Sequence, residues 1–153
     1  MKRIAIGSDQ NAYVLKEDLK AYLRELGFET VDFGCEGIDD GIDYPDVAIQ
    51  VAESIARNEF ERGILLCGTG IGMAITANKV PGVRAACCHD PYSAERARKS
   101  NDAQILTMGA QIIAPTLARI VLDHWLQSEF LGGRSIPKVK KINDLDELYR
   151  SKR

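Results

Sequence analysis

The chain has 153 residues, 45% hydrophobic and 27% charged, with a net charge of −2; that length suits one compact domain with a buried core and is short for two. The near-neutral charge excludes the strongly basic surface of a nucleic-acid binder: Lys138, Lys140 and Lys141 form the only basic cluster, and no aromatics interleave with it. No eighteen apolar residues run together, which excludes a helical membrane span. The opening MKRIAIGSDQ turns polar at Ser8 and Asp9, too early for a secretory signal. Cys35, Cys67, Cys87 and Cys88 show neither zinc-type CxxC pairing nor disulfide-framework density, so a reduced, cytoplasmic protein is expected.

Short β-rich runs alternate with helical patterns. RIAIG at 3–7 reads as a strand ending in Ser8 and Asp9. A helix follows, with Leu15, Leu19, Tyr22, Leu23 and Leu26 at helical spacing and Gly27 as its stop. TVDFG at 30–34 is a second strand, and Pro45 opens a helix carrying Val47, Val51 and Ile55. GILLC at 63–67 is the most apolar strand, as expected at the centre of a sheet buried on both faces. A glycine turn and a helix over 72–79 come next, closed by Pro81-Gly82, and then a fourth strand, VRAACC, at 83–88. Asp90-Pro91 reads as N-cap and N1 of the following helix. AQILTMG at 103–109 is a fifth strand and 112–128 a long helix; Gly132-Gly133 break the chain before a last basic helix. No repeat or linker separates domains. This β-then-α order predicts right-handed crossovers and a mostly parallel sheet covered by helices. Ligands of such sheets sit beyond the carboxyl ends of the strands. Those ends carry Asp9, Gly34, Cys67, His89 and Gly109.

The stretch CGTGIG is neither a Walker A loop, since no lysine stands at the required place, nor the dinucleotide fingerprint, since Gly68, Gly70 and Gly72 are spaced by two and position 73 is methionine. What remains is a thiol at a strand end followed by closely packed amides. A free thiol, with its usual value near 8.5, is only about 3% ionised at neutral pH. Nearby N–H donors and a helix start favour the thiolate, and the same amides form a concavity for a developing oxyanion. Thr69 adds a hydroxyl. A base beside an oxyanion site suits proton abstraction next to a carbonyl, giving an enediolate. A nucleophilic thiol is the other reading, and it needs a partnered histidine. Of the two histidines, His124 within LARIVLDHWLQ reads as a packed or surface residue, while His89 at a strand end stays in view. The plain alternative for Cys67 is a buried strand-end side chain.

As a whole the chain resembles the ribose-5-phosphate isomerase B family, which includes the galactose-6-phosphate isomerase subunits. The resemblance rests on IGSD at 6–9, DYPD at 43–46, ILLCGTGIGMAITANKVPGVRA at 64–85, YSAERARKSNDAQILTMGA at 92–110 and GGR at 132–134. It implies a metal-free, cofactor-free aldose–ketose isomerase working through a cis-enediolate. It also implies a Rossmann-like α/β/α sandwich with a five-stranded parallel sheet, and homodimers, possibly paired into tetramers, that share each active site. The segment 132–153 would then pack on the partner subunit. By position, Cys67 is the base moving a proton between C1 and C2, and Thr69 with the amides following Gly68, at Gly70, Ile71 and Gly72, stabilises the enediolate. Asp9, Asp43 and Tyr44 line the sugar pocket, Asn101 lies near the reacting end, and Arg134 matches a phosphate ligand given to the partner's site.

The departures from the family pattern carry information. Gln10 and Ser100 stand where histidines are usual, the latter where a histidine assists sugar ring opening; Gln111 and Lys138 stand where phosphate-binding arginines are usual. Arg134 and Lys138 beside a helix start still describe an anion site. Ribose 5-phosphate closes through O4 and must open before C2 becomes acidic. A tetrose 4-phosphate has O4 esterified and cannot close that ring, so it needs no ring opener. HDPYSAERA with SNDAQ and GGRS is also similar to the erythrulose-phosphate branch, where serine likewise replaces that histidine. Ribose 5-phosphate and erythrulose 4-phosphate are thus both open as substrates. A non-catalytic sugar-phosphate binding module and a subunit dependent on a second, different chain are the rival readings. Other residues have plain explanations: Asp90 as N-cap, Cys87 and Cys88 on opposite faces of a strand, Asp43 as a turn organiser, Asp144, Asp146 and Glu147 as a solvated face, and no role for Cys35.

Overall fold

The structure is a computed structural model, and it describes residues 2–152. Five strands, β1 (Arg3–Ser8), β2 (Glu29–Asp32), β3 (Gly63–Cys67), β4 (Ala85–Cys87) and β5 (Ile105–Gly109), form one parallel sheet in the order β2-β1-β3-β5-β4. The helices are α1 (Tyr13–Glu25), α2 (Tyr44–Ala56), α3 (Ile71–Ala77), α4 (Pro91–Lys99), α5 (Pro115–Leu126) and α6 (Ile136–Ser151). The strand with the most apolar sequence, β3, is central and buried at every position.

Side-chain alternation along the strands divides the interior into two cores. Ile4, Ile6, Ile64, Leu66, Leu106 and Met108 face the layer of α1, α4 and α5, packed around Leu19, Val121 and Trp125. Ala5, Leu65, Cys67 and Ile105 face α2 and α3, against Val47, Val51 and Met73. Two buried faces explain why β3 reads as a continuous apolar run instead of an alternating one. The result is the three-layer α/β/α sandwich that the order of elements predicts. Among the described residues, no helix is long and apolar enough to cross a membrane.

Several boundaries differ from the sequence expectation for local reasons. β4 starts at Ala85 because the Arg84 N–H is taken by the Gln104 side chain (2.8 Å) and Gly82 turns the chain at φ +84°. β2 stops at Asp32, whose carboxylate accepts the Gly34 N–H at 2.8 Å. α5 starts at Pro115 because the N–H groups of Ile112 and Ile113 both turn back to the Gly109 carbonyl. Asp90 is an N-cap, accepting the Ser93 N–H at 2.7 Å. Cys87 is exposed and Cys88 buried, as adjacent strand-end residues should be, and His124 is exposed. Asp146 departs from the solvated-face reading: it accepts the Gly82 N–H at 3.0 Å and ties α6 to the chain.

A buried lysine fixes the crossover from β2 to α2. Lys16 is fully buried, and its ammonium donates to Asp32 Oδ1 (2.9 Å) and to the Cys35 carbonyl; Lys20 donates to Asp32 Oδ2 (2.8 Å). Burial works against a charged Asp32, but the hydrogen bonds from Lys20, Lys16 and the Gly34 N–H outweigh it and hold the carboxyl below its ordinary value. A depressed carboxyl contributes stability above its unfolded value, and that contribution is lost as pH falls through the lower, folded one. Asp32→Ala leaves the Lys16 ammonium without its carboxylate and should lower the unfolding free energy at pH 7 by about 3 kcal/mol, the low end for a broken buried pair because Asp32 is partly exposed. Urea denaturation checks this, and the difference from the parent should shrink as pH falls below about 4.

Candidate active site

The centre of the carboxyl edge of the sheet is where β3 ends in Cys67, 4% exposed. The chain then makes a turn pressed flat against the end of β5. Gly70 has φ +79°, and a Cβ there would lie 2.8 Å from the Met108 carbonyl carbon. A Cβ on Gly109 would lie 2.4 Å from Thr69 Cα. Two backbones therefore touch with no side chain between them, and only glycine allows it. Hydrogen bonds lock the contact: Ala110 N–H to the Cys67 carbonyl (2.9 Å), Gln111 N–H to the Gly68 carbonyl (3.0 Å) and the Thr107 hydroxyl to the Gly70 carbonyl (2.8 Å).

Held this way, the Gly70 N–H donates to Cys67 Sγ at 3.1 Å. An N–H aimed at sulfur stabilises negative charge on it. Thr69 lines the same cleft as this sulfur, and its Oγ1 accepts the Ile71 N–H at 3.3 Å, where α3 begins. Cys88 is the contrast: burial pushes its thiol up to about 12, so it stays neutral. Cys35 is buried with its sulfur 3.8 Å from the Ser8 hydroxyl.

A cleft of about 390 Å³ opens over the turn, lined by Cys67, Gly68, Thr69, Ile71 and Gly72 together with Asp9, Asn11, Tyr44 and Ile75. Asp9, 7% exposed, sits at the end of β1, where its own N–H reaches the Leu66 carbonyl (3.2 Å) and its carboxylate accepts from the Ala12 N–H (3.3 Å) and the Asn11 amide (3.4 Å). Tyr44 opens α2 and lays its ring over Gly72, where a Cβ would come within 2.2 Å of it. Asp43 is the N-cap residue of α2, exposed and without a side-chain cap bond; Gln10 is exposed in the short turn after Asp9, off the cleft wall. Asn11 and Ile75 were not expected. Ile75 is legible afterwards as the residue one helical turn beyond Ile71, whereas Asn11 depends on the tight turn that Asp9 caps.

Ser100, Asn101, Arg134 and Lys138 are not brought to this cleft. α4 runs back along the sheet, and its nine residues span about 13.5 Å. Its far end carries Ser100, whose hydroxyl accepts from the Arg96 guanidinium, and Asn101, whose carbonyl accepts from Arg84 Nε (3.2 Å) just before β4. The Leu131 N–H meets the Lys99 carbonyl (3.2 Å), which starts the segment leading to Arg134 and Lys138 at that same end. All four are exposed or half-exposed. His89 is also off the cleft wall; its ring accepts the Gly109 N–H. Among the described residues, no group of three or more His, Cys, Asp or Glu is gathered so as to hold a metal.

The fold and sequence are those of a sugar-phosphate aldose–ketose isomerase. The chain belongs to the ribose/galactose isomerase family, whose sequence model matches residues 4–142. It is 53% identical to a ribose-5-P isomerase B of Listeria innocua over 97% of this chain and 99% of that protein. It is 51% identical to a D-erythrulose-4-phosphate isomerase of Pectobacterium atrosepticum, over 93% of each. The ribose-5-phosphate isomerase B of Clostridium thermocellum, a solved structure, superposes with a TM-score of 0.93 at 44% identity, covering 96% of this chain and 99% of that one.

The two glycines make separable predictions. Gly70→Ala forces a side chain into the left-handed region and against backbone, so it should cost about 2 kcal/mol or more of stability and lower the melting temperature. Gly72→Ala meets the Tyr44 ring first, a side chain that can swing away, so it should leave the melting temperature within a few degrees while raising KM several-fold. Thermal melts and steady-state kinetics on both variants check the contrast.

Proposed function

We propose that this chain interconverts an aldose phosphate and its ketose through a cis-enediolate, with Cys67 Sγ as the base that moves the proton between C1 and C2. The observation that carries the reading is the Gly70 N–H donated to Cys67 Sγ at 3.1 Å, in a sulfur that also lines the cleft. Thr69 and the amides following Gly68 stabilise the enediolate oxygens. Asp9 and Tyr44, on the cleft wall, hold the sugar hydroxyls, and Gln10 and Asp43, each next to one of them in sequence but off the wall, complete the sugar contacts at the rim. Proton transfer of this kind needs no redox partner: the C2 proton leaves to the base and returns at C1, the hydroxyl proton passes from O2 to O1, and the C–H electron pair forms the enediolate double bond and then the new C1–H bond as the carbonyl moves from C1 to C2.

Ser100, Asn101, Arg134 and Lys138 reach the site from a second copy of the chain. Their distance from their own Cys67 supports this, as does α6, which buries only Val139 and leaves Ile136, Ile142, Leu145, Leu148 and Tyr149 exposed. The segment 132–153 accordingly packs on the partner of a homodimer, and Arg134 and Lys138 take the phosphate. Four free thiols without metal spacing support a cytoplasmic setting.

Ribose 5-phosphate and ribulose 5-phosphate are the first substrate pair, by the relative of that name at 53% identity. The same chemistry on erythrulose 4-phosphate is favoured by one observation: position 100 offers no imidazole, and its hydroxyl is engaged by Arg96, so no group there is free to open a furanose. Cys67→Ala should keep its fold and lose roughly 10²–10⁴ in kcat. Measured in EDTA with both substrates, full activity in that variant would remove Cys67 from the chemistry. In the parent, a kcat/KM strongly favouring the four-carbon sugar selects the second pair, and preference for ribose 5-phosphate selects the first.

A further inference from the structure

The last backbone donor of β5 is satisfied by a side chain instead of a strand. The β4 ladder ends at Cys87 opposite Thr107, and the next bond is Cys88 N–H to the Thr107 carbonyl, 3.1 Å. Beyond it, β4 offers Gly109 no carbonyl. The Gly109 N–H, on a buried residue, donates to His89 Nε2 at 2.8 Å. Gly109 is also the residue in register with Cys67, and the one whose Cα side lies against Thr69. A displacement of Gly109 therefore moves Thr69 and the donors around Sγ together.

We propose that His89 is a positioning residue for the isomerisation: by accepting the Gly109 N–H, its ring holds the end of β5 at the place against which the Cys67–Gly70 turn is pressed. It acts through Gly109 and not on substrate, because it does not line the cleft. The inference rests on the reading of Cys67 as the reacting centre.

A ring that accepts at Nε2 carries its proton on Nδ1, and an imidazolium has no acceptor at all. Burial pushes His89 below its ordinary value, and the carboxylate of Asp90, on the α4 N-cap, opposes this. The other titratable neighbours are the Cys87 and Cys88 thiols just before it, the latter neutral because of burial, and Cys67 across Gly109. The β5 end faces it with the Gly109 backbone N–H. His89 is therefore neutral at pH 7, and its hold on Gly109 is present above its lowered value and lost as pH falls through it.

The test combines kinetics with 15N NMR of the Gly109 amide. His89→Ala should lower kcat by about 10–100-fold, as small misplacements of reacting groups do, with KM changed less than about threefold. His89→Gln, whose amide oxygen can accept the same N–H without titrating, should recover to within about fivefold of the parent. In the parent, the Gly109 amide should shift with the His89 titration below pH 6.5, and in the Gln variant it should not. Substrate phosphate also titrates near pH 6, but equally for parent and Gln variant, so the difference between their pH profiles isolates the ring. If the Ala variant fails to fold, the parent titration and the Gln variant still decide. A folded Gln variant as slow as Ala would overturn the proposal by placing the imidazole on the reacting atoms. A raised KM at constant kcat would do so by making it a substrate ligand, and a Gly109 amide indifferent to His89 would remove the contact. Activity surviving in Cys67→Ala would instead overturn the reading beneath it while leaving the amide titration to stand by itself.

Discussion

The site depends on one backbone-to-backbone contact, the Cys67–Gly70 turn lying directly on the end of β5. Gly70 against Met108 and Gly109 against Thr69 bring the chains closer than any side chain permits. That closeness aims the Gly70 N–H at Cys67 Sγ and keeps Thr69 on the wall of the same cleft. Everything else arranges support for this contact. β3 is central and buried on both faces, so its end is rigid; Asp9 is tied to β3 through the Leu66 carbonyl; and the buried Lys16 anchors the loop that delivers Asp43 and Tyr44. A reactive thiol needs an anion-stabilising setting while its neighbours stay neutral. Cys88 differs in its setting: burial pushes its thiol up to about 12, whereas Cys67 Sγ receives the Gly70 N–H.

Much of the fold was legible because its signals are local and repeated. The apolar run GILLC marked the central strand, Asp90-Pro91 marked a capped helix start, and the order of elements left a parallel, doubly covered sheet as the natural solution. What escaped depends on contacts between distant segments. The short β4 follows from Gln104 capturing the Arg84 N–H, and the late start of α5 from a turn around the Gly109 carbonyl. Asp146, read as solvated, holds the Gly82 N–H from 64 residues away. None of these partners leaves a pattern within a window of sequence.

The candidate site divides in the same way. Cys67, Thr69 and the glycines share one turn and were visible as a spacing, Asp9 was visible as a strand end, and Tyr44, at the start of α2, was expected only from the family resemblance. Ser100, Asn101, Arg134 and Lys138 were named only by family resemblance, and one chain holds them at the other end of α4. Such a division is what a site assembled from two copies would show. The exposed apolar side chains of α6 belong to the same pattern, since a helix that buries only Val139 gains little from its own subunit.

The most direct measurement of the central claim is solvent-hydrogen exchange during turnover. Isomerisation in D₂O, followed by NMR of both sugars, should place deuterium at the carbon that accepts the returning proton, at a rate tied to turnover, and Cys67→Ser should reduce that incorporation to the uncatalysed background. Deuterium entering at the parent rate in the Cys67→Ser protein would contradict the assignment of the sulfur as base and move the chemistry to another group in the cleft.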